Sequence, residues 1–280
     1  MSLAPAARLV ESGIDVTAPA RPGAVAASIA SVATGTDLDI AGLCKSFDRD
    51  RPILSNVSLR VPQGQSVALV GSNGTGKSTL LRCCLRLIEP DSGAITILGR
   101  QVHALGRARL RRLRAEVGFV FQRHNLVAQL SVLSNVLHGA QARHSGPRVW
   151  YQALAPRPLR EEAMHCLELV GLADFAARRA DCLSGGQSQR VAIARTLMQR
   201  PRLMFADEPV ASLDPNAGEE VMELFADLIR RQNLTLVFTS HHIDHALRFG
   251  DRVVALRKGG IALDAAARAL DAPTLRQIYD

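Results

Sequence analysis

No run of 18 apolar residues occurs in the sequence, so no segment is built to cross a bilayer as a helix. The nearest imitation, AVAASIASVA at Ala24–Ala33, is made of small, weakly apolar residues, starts late and follows Pro22-Gly23. It reads as part of a flexible tail, a secretory signal being the alternative. The five cysteines (Cys44, Cys83, Cys84, Cys166 and Cys182) are odd in number and form no C-x-x-C pair. That excludes a disulfide framework or a zinc site of ordinary spacing, and leaves the reduced thiols of a cytosolic protein as the expectation. Lysine is nearly absent: Lys45, Lys77 and Lys258 are the only three, so almost all of the positive charge is arginine. Internal repeats and sustained heptads are missing too.

What is present describes a folded globular chain of 280 residues, 47% hydrophobic and 21% charged, long enough for one large domain or two coupled ones. Lys plus Arg number 34 against 26 Asp plus Glu, a net charge of +8. Arginine keeps its charge and grips phosphate in a fork, so anionic partners fit, but the surplus does not choose among nucleotide, lipid and nucleic acid. Arg107, Arg109, Arg111, Arg112 and Arg114 concentrate part of it on a helical-looking segment, read as a solvated face, with an anionic contact surface as the alternative.

Residues 1–37 are rich in Ala, Pro, Ser, Gly and Thr without helical or strand period and read as a flexible extension. From Leu38 the pattern becomes ordered. Ser66–Val70, Val117–Phe121, Leu203–Ala206, Leu234–Phe238 and Arg252–Leu256 are short apolar runs of strand type, with helical stretches such as Ser78–Ile88 between them. Strands alternating with helices predict an α/β domain with a mainly parallel sheet. Residues 126–183 are mainly helical, interrupted by a loop over His144–Pro158 that holds Trp150 and Tyr151, and read as a helical insertion.

The chemistry begins at Gly71-Ser72-Asn73-Gly74-Thr75-Gly76-Lys77-Ser78-Thr79, which fits G-x-x-x-x-G-K-[ST] between a strand and a helix. Glycines let backbone N–H groups wrap phosphates, and the helix turns its positive end toward them. Lys77 is expected to reach the β- and γ-phosphates of a bound nucleotide, and the Ser78 hydroxyl to ligate Mg²⁺. Leu203-Met-Phe-Ala-Asp207-Glu208 is an apolar strand ending in two acids, costly to bury unless each meets a cation or donor. Asp207 suits a contact to the Mg²⁺ site, and Glu208 suits the base that orients the attacking water. Leu183-Ser184-Gly185-Gly186-Gln187 opens a helix over Ser188–Met198, and its free N–H groups with the Ser184 hydroxyl form a second phosphate-binding surface. Two such surfaces in one chain suggest a nucleotide shared between two copies.

With LSGGQ followed by Q-R-V-A-I-A-R, the chain resembles the ATP-binding subunits of ABC transporters, with motifs in family order from about residue 38 to 260. The resemblance implies a P-loop NTPase (RecA-like) core, an antiparallel β subdomain, an inserted α-helical subdomain over about 126–183, and a C-terminal segment over 261–280. It implies that Phe47 stacks on adenine, that Gln122 approaches Mg²⁺ and links the site to the membrane subunits, and that Ser212-Leu213-Asp214 communicates across a homodimer. It also implies that His241, rather than its neighbour His242, contacts the γ-phosphate. Ser72 stands where the family often has proline, and Phe47 where tyrosine is commoner. FQRHNLV, LSVLSNVLHGA, ADEPVASLDP, HHIDHALRFGDRVVALRKG and LRQIYD together resemble phosphonate importer ATPases. The implied partners are integral membrane permease subunits and an extracytoplasmic solute-binding protein, with the chain on the cytoplasmic face of the membrane and no nucleic acid expected. Phosphate, phosphite or amino-acid importers, lipoprotein-release exporters, and ABC ATPases that act on nucleic acid or ribosomes are the alternatives.

Overall fold

The computed structural model describes residues 35–48, 51–144, 146, 149–150 and 152–279; the expectations for residues 1–34 and for Tyr151 lie outside them. The described residues open with two long strands, β1 (Thr36–Asp48) and β2 (Arg51–Pro62), then β3 (Ser66–Val70) and α1 (Lys77–Cys84). β4 (Ser92–Ile97), β5 (Arg100–Gln101) and α2 (Arg107–Glu116) lead into β6 (Val117–Val120). A helical section follows, with α3 (Val132–Leu137), α4 (Arg157–Leu169) and α5 (Gly185–Leu197). The chain ends through β7 (Leu203–Ala206), α6 (Pro215–Gln232), β8 (Thr235–Ser240), α7 (Ile243–Phe249), β9 (Arg252–Arg257), β10 (Gly260–Ala266) and α8 (Ala272–Tyr279).

Two sheets form. β2-β1-β4-β5 is antiparallel throughout, and β10-β9-β3-β8-β7-β6 is parallel except for its β10 edge. The apolar runs are continuous because the strands of the larger sheet are covered on both faces. Their alternation still sorts the residues. Ala68, Val70, Met204, Ala206, Leu236 and Phe238 pack with α3 to α8 on one side. Val67, Leu69, Leu203, Phe205, Val237 and Val254 pack with α1, α2 and the antiparallel sheet on the other.

Several boundaries differ from the sequence reading. The first strand starts at Thr36 rather than Leu38, and Asp37 is buried, its carboxylate accepting from Thr235 Oγ1 at 2.5 Å. Past residue 260 the main sheet continues, with β10 pairing to β9 over Gly260–Ala266. The first helix stops at Cys84, well short of Ile88, because Arg86 takes a positive φ of 50° and ends the winding. Of the arginine run, Arg107, Arg109, Arg111 and Arg112 are exposed on α2, whereas Arg114 turns inward and donates to the carbonyls of Leu85 (2.9 Å) and Arg86 (2.8 Å).

All five cysteines are free thiols. Burial pushes the Cys83 thiol up to about 11 and that of Cys166 to about 12, and raises Cys84 as well. Thiolate is the reactive form. Iodoacetamide at neutral pH is therefore expected to label exposed Cys182 in the native protein, and Cys83, Cys84 and Cys166 only in guanidinium chloride; peptide mass spectrometry checks it.

Candidate functional site

The five parallel strands of the larger sheet finish along one edge, where an α/β fold places its ligands. Register decides which residues meet there. Val70 pairs with Ser240, Ala206 with Phe238 and Val120 with Ala206, so the residues just beyond β3, β8, β7 and β6 emerge side by side.

The loop after β3 is a wrap of backbone. Gly71, Gly74 and Gly76 have φ of 147°, 80° and 99°. A side chain at Gly76 would place its Cβ 2.7 Å from Leu54 Cδ2 and 2.8 Å from the Ile53 carbonyl, so only glycine fits. Ser72, Asn73 and Gly74 form the exposed rim, Thr75 Oγ1 donates to the Ser72 carbonyl at 2.9 Å, and Thr79 sits half-buried in α1. Lys77 is buried; its ammonium donates to the carbonyls of Gly71 (2.7 Å) and Ser72 (3.1 Å) and so stays inside the loop. Desolvation pulls its pKa below the usual lysine value, opposed by the charges of Glu208 and Asp207.

Across from the loop, Asp207 is 3% exposed. Its Oδ1 accepts from Ser78 Oγ at 2.7 Å and from Thr239 Oγ1 at 3.1 Å, and Oδ2 lies 3.5 Å from Arg82. Glu208 follows with φ of 50°, a left-handed turn that costs a non-glycine residue roughly 1–2 kcal/mol. The turn swings its carboxylate out of the strand line, where Oε1 meets His241 Nε2. His242 faces away, its ring centroid 5.0 Å from that of His245. The structure thus brings Lys77, Ser78, Asp207, Glu208 and His241 to one place.

The other expected residues form separate groups. Ser184 caps α5 in a reciprocal box: its hydroxyl accepts the Gln187 N–H (3.2 Å), and Gln187 Oε1 accepts the Ser184 N–H (3.0 Å). Asp214 caps α6 by accepting the Ala217 N–H at 3.0 Å. The two caps touch. A Cβ on Gly186 would sit 3.0 Å from the Ala217 methyl, and one on Gly185 3.4 Å from Leu213 Cδ2. Among the described residues no hydrogen bond or ion pair joins this pair of caps to Lys77 or Glu208. Phe47 is 61% exposed, with Lys45 Nζ 5.6 Å from its ring centroid. Gln122 is exposed just past β6, whose last carbonyl accepts the Asp207 N–H at 2.9 Å. The segment after Gln122 is tied to the helical section: Asn135 bonds both the N–H and the carbonyl of Val127, and Arg195 holds the carbonyls of His124 and Asn125. Sequence reasoning missed the parts of Arg82 and Thr239, because both act through Asp207, which is remote from them in the sequence.

Residues 54–211 match the family model described as "ABC transporter". The chain is 51% identical over 227 residues to the phosphonates import ATP-binding protein PhnC of Nocardia farcinica, covering 81% of this chain and 84% of that one. To PhnC 2 of Pseudomonas syringae it is 46% identical over 252 residues, covering 86% and 88%. The chain belongs to the ABC transporter family. Solved relatives agree: the dimeric ATP-binding cassette MJ0796 bound to ADP and Pi superposes with a TM-score of 0.73 at 32% identity, covering 83% of this chain and 100% of that one. The cassette cbiO1 of Clostridium perfringens gives 0.75 at 26% identity, covering 87% and 94%. This ABC chain is accordingly an ATP-binding, transport-coupled ATPase, and no helix among its described residues is long and apolar enough to cross a membrane.

The loop geometry predicts unequal glycines. Gly76→Ala meets a clash as well as a strained φ and is expected to lower the unfolding free energy by roughly 3 kcal/mol in urea titration, and to abolish retention on ATP-agarose. Gly74→Ala has open space around it and is expected to cost only about 1 kcal/mol.

Proposed function

We propose that this chain is the ATP-hydrolysing subunit of an ABC importer for phosphonates or a related phosphorus oxyanion. It works as a homodimer on the cytoplasmic face of the membrane, beneath permease subunits and supplied by an extracytoplasmic solute-binding protein. The observation that carries the ATPase part is the contact of Glu208 with His241 beside the Lys77 loop and the Ser78–Asp207 pair. The phosphonate part is supported by the names of relatives 42–51% identical over most of the chain.

The donor set fits Mg²⁺. Ser78 and Asp207 offer hard oxygen ligands side by side, and among the described residues no group of three or more His, Cys, Asp and Glu competes as a metal cage. Ser78, Asp207 and Gln122 would hold the ion, which when bound neutralises charge on the phosphates. The Gly71–Gly76 backbone wraps those phosphates with N–H groups, and α1 adds its positive end. Lys77, already confined to the loop, meets them as a cation whose charge they restore against its desolvation.

Glu208 orients the attacking water and accepts its proton. An ionised carboxylate cannot donate, so His241 Nε2 carries the proton of their hydrogen bond. That N–H has one good direction, and when the γ-phosphate enters, His241 turns to it and leaves Glu208 to the water. Phe47 stacks on adenine through its exposed ring. The Ser184–Gln187 helix start, which among the described residues makes no hydrogen bond to its own Lys77, serves the ATP of the second copy, and Asp214 lines the seam between copies. Closure of the dimer completes both sites, and hydrolysis followed by product release reopens them.

Glu208→Gln is expected to lower single-turnover phosphate release by at least about 100-fold with binding of a fluorescent ATP analogue retained. A normal rate would sink the assignment. In liposomes holding the permease, a phosphonate with its binding protein is expected to stimulate ATP hydrolysis. Stimulation by amino acids or lipoprotein in its place would move the chain to another branch of the family.

A further inference from the structure

Both acids at the end of β7 are held by one side chain to which the mechanism above gives no part. Thr239 lies fully buried on β8, opposite Leu69 of β3. Its hydroxyl makes two hydrogen bonds, accepting the backbone N–H of Glu208 at 2.7 Å and donating to Asp207 Oδ1 at 3.1 Å. The directions are not interchangeable. An N–H can only donate, so the Thr239 oxygen must accept from Glu208, and its single proton is left for Asp207. The same Asp207 oxygen receives Ser78 Oγ at 2.7 Å.

The Glu208 N–H needs such an acceptor. β7 ends at Ala206, and the positive φ of Glu208 turns the chain out of the sheet, so the ladder that pairs the preceding strand residues does not continue there. Among the described residues Thr239 Oγ1 takes its place. A left-handed backbone at a glutamate persists only where its surroundings hold it.

We infer that Thr239 is a positioning residue that fixes the distance between the two acids, through an unbroken chain of hydrogen bonds from Ser78 through Asp207 and Thr239 to the backbone of Glu208. Threonine does two things at once: its hydroxyl makes the bridge, and its branched Cβ limits the rotamers that would break it. Removing the hydroxyl leaves the Glu208 N–H without its acceptor, loosens the left-handed turn, and lets the carboxylate stray from the line of attack. ATP binding rests on the loop and Lys77 and stays as it is. The inference rests on Glu208 acting as the base.

The test uses the full-length protein with Thr239→Val, Thr239→Ser and Glu208→Gln. T239V keeps the branched shape, and its kcat is expected to fall about 10- to 100-fold, as for loss of a group that orients a catalytic one. KM for ATP and affinity for a fluorescent ATP analogue stay within about two-fold, and T239S recovers kcat to within about three-fold of the parent. Amide hydrogen exchange at residue 208 is protected in the parent, released in T239V and protected again in T239S. If T239V keeps kcat within about two-fold of the parent while E208Q is inactive, the inference is overturned and the base assignment stands. Full activity in E208Q instead defeats the base assignment. Should T239V not fold, exchange in the parent decides alone, since an unprotected Glu208 amide rules out the bridge.

Discussion

A carboxylate at 3% exposure, at the edge of a sheet whose neighbouring strands are mostly apolar, is the constraint around which this molecule is arranged. Burying Asp207 without partners would cost several kcal/mol. Two hydroxyls on one oxygen and a guanidinium near the other offset that cost. The partners arrive from two elements: Ser78 and Arg82 from successive turns of α1, and Thr239 from β8. The acid is therefore tolerable only when the loop helix and the two strands have docked in register, so the fold and the site are assembled by the same step.

Much of this was legible in the sequence. The run SVALV, the glycine loop and the acids after LMFA stand where a parallel sheet must end, and the structure returns β3 and β7 with the expected bounds. Ser184 with Gln187 three residues later is a helix-start signal that the expected start at Ser188 did not use; α5 begins at Gly185. The antiparallel sheet was the least visible part. β1 and β2 pair with repeated register shifts, among them one between Ile40 and Leu43, and each shift breaks the two-residue period on which a strand is read. The helical section, too, is more broken than its composition implied, with α3 only six residues long. Thr239 and Arg82 were unreadable for another reason, since their partners are 32 and 125 positions away in the sequence (239 less 207, and 207 less 82).

The arginine surplus resolves into unlike parts. Arg114 and Arg195 serve as backbone clamps, holding carbonyls that helix ends and loops leave unpaired. Arg143 and Arg200 share the partly buried Glu162. The exposed arginines of α2 are a different population, set around a helix whose buried side is Leu110 and Leu113. A net charge counted from composition thus overstates how much positive surface a partner would meet.

The touching caps of α5 and α6 have a mechanical meaning. The Ala217 methyl occupies the space that a side chain on Gly186 would need, so glycine there lets the two helix starts pack closely. α6 is joined to Glu208 by a short turn in which Ala211 bonds the Glu208 carbonyl at 3.2 Å and Leu213 that of Val210 at 3.1 Å. A displacement of the α5 start is thereby geared to the turn that carries Glu208. In a symmetric pair of chains such gearing works in both directions, and the two halves of the assembly would keep time with each other through rigid contact alone.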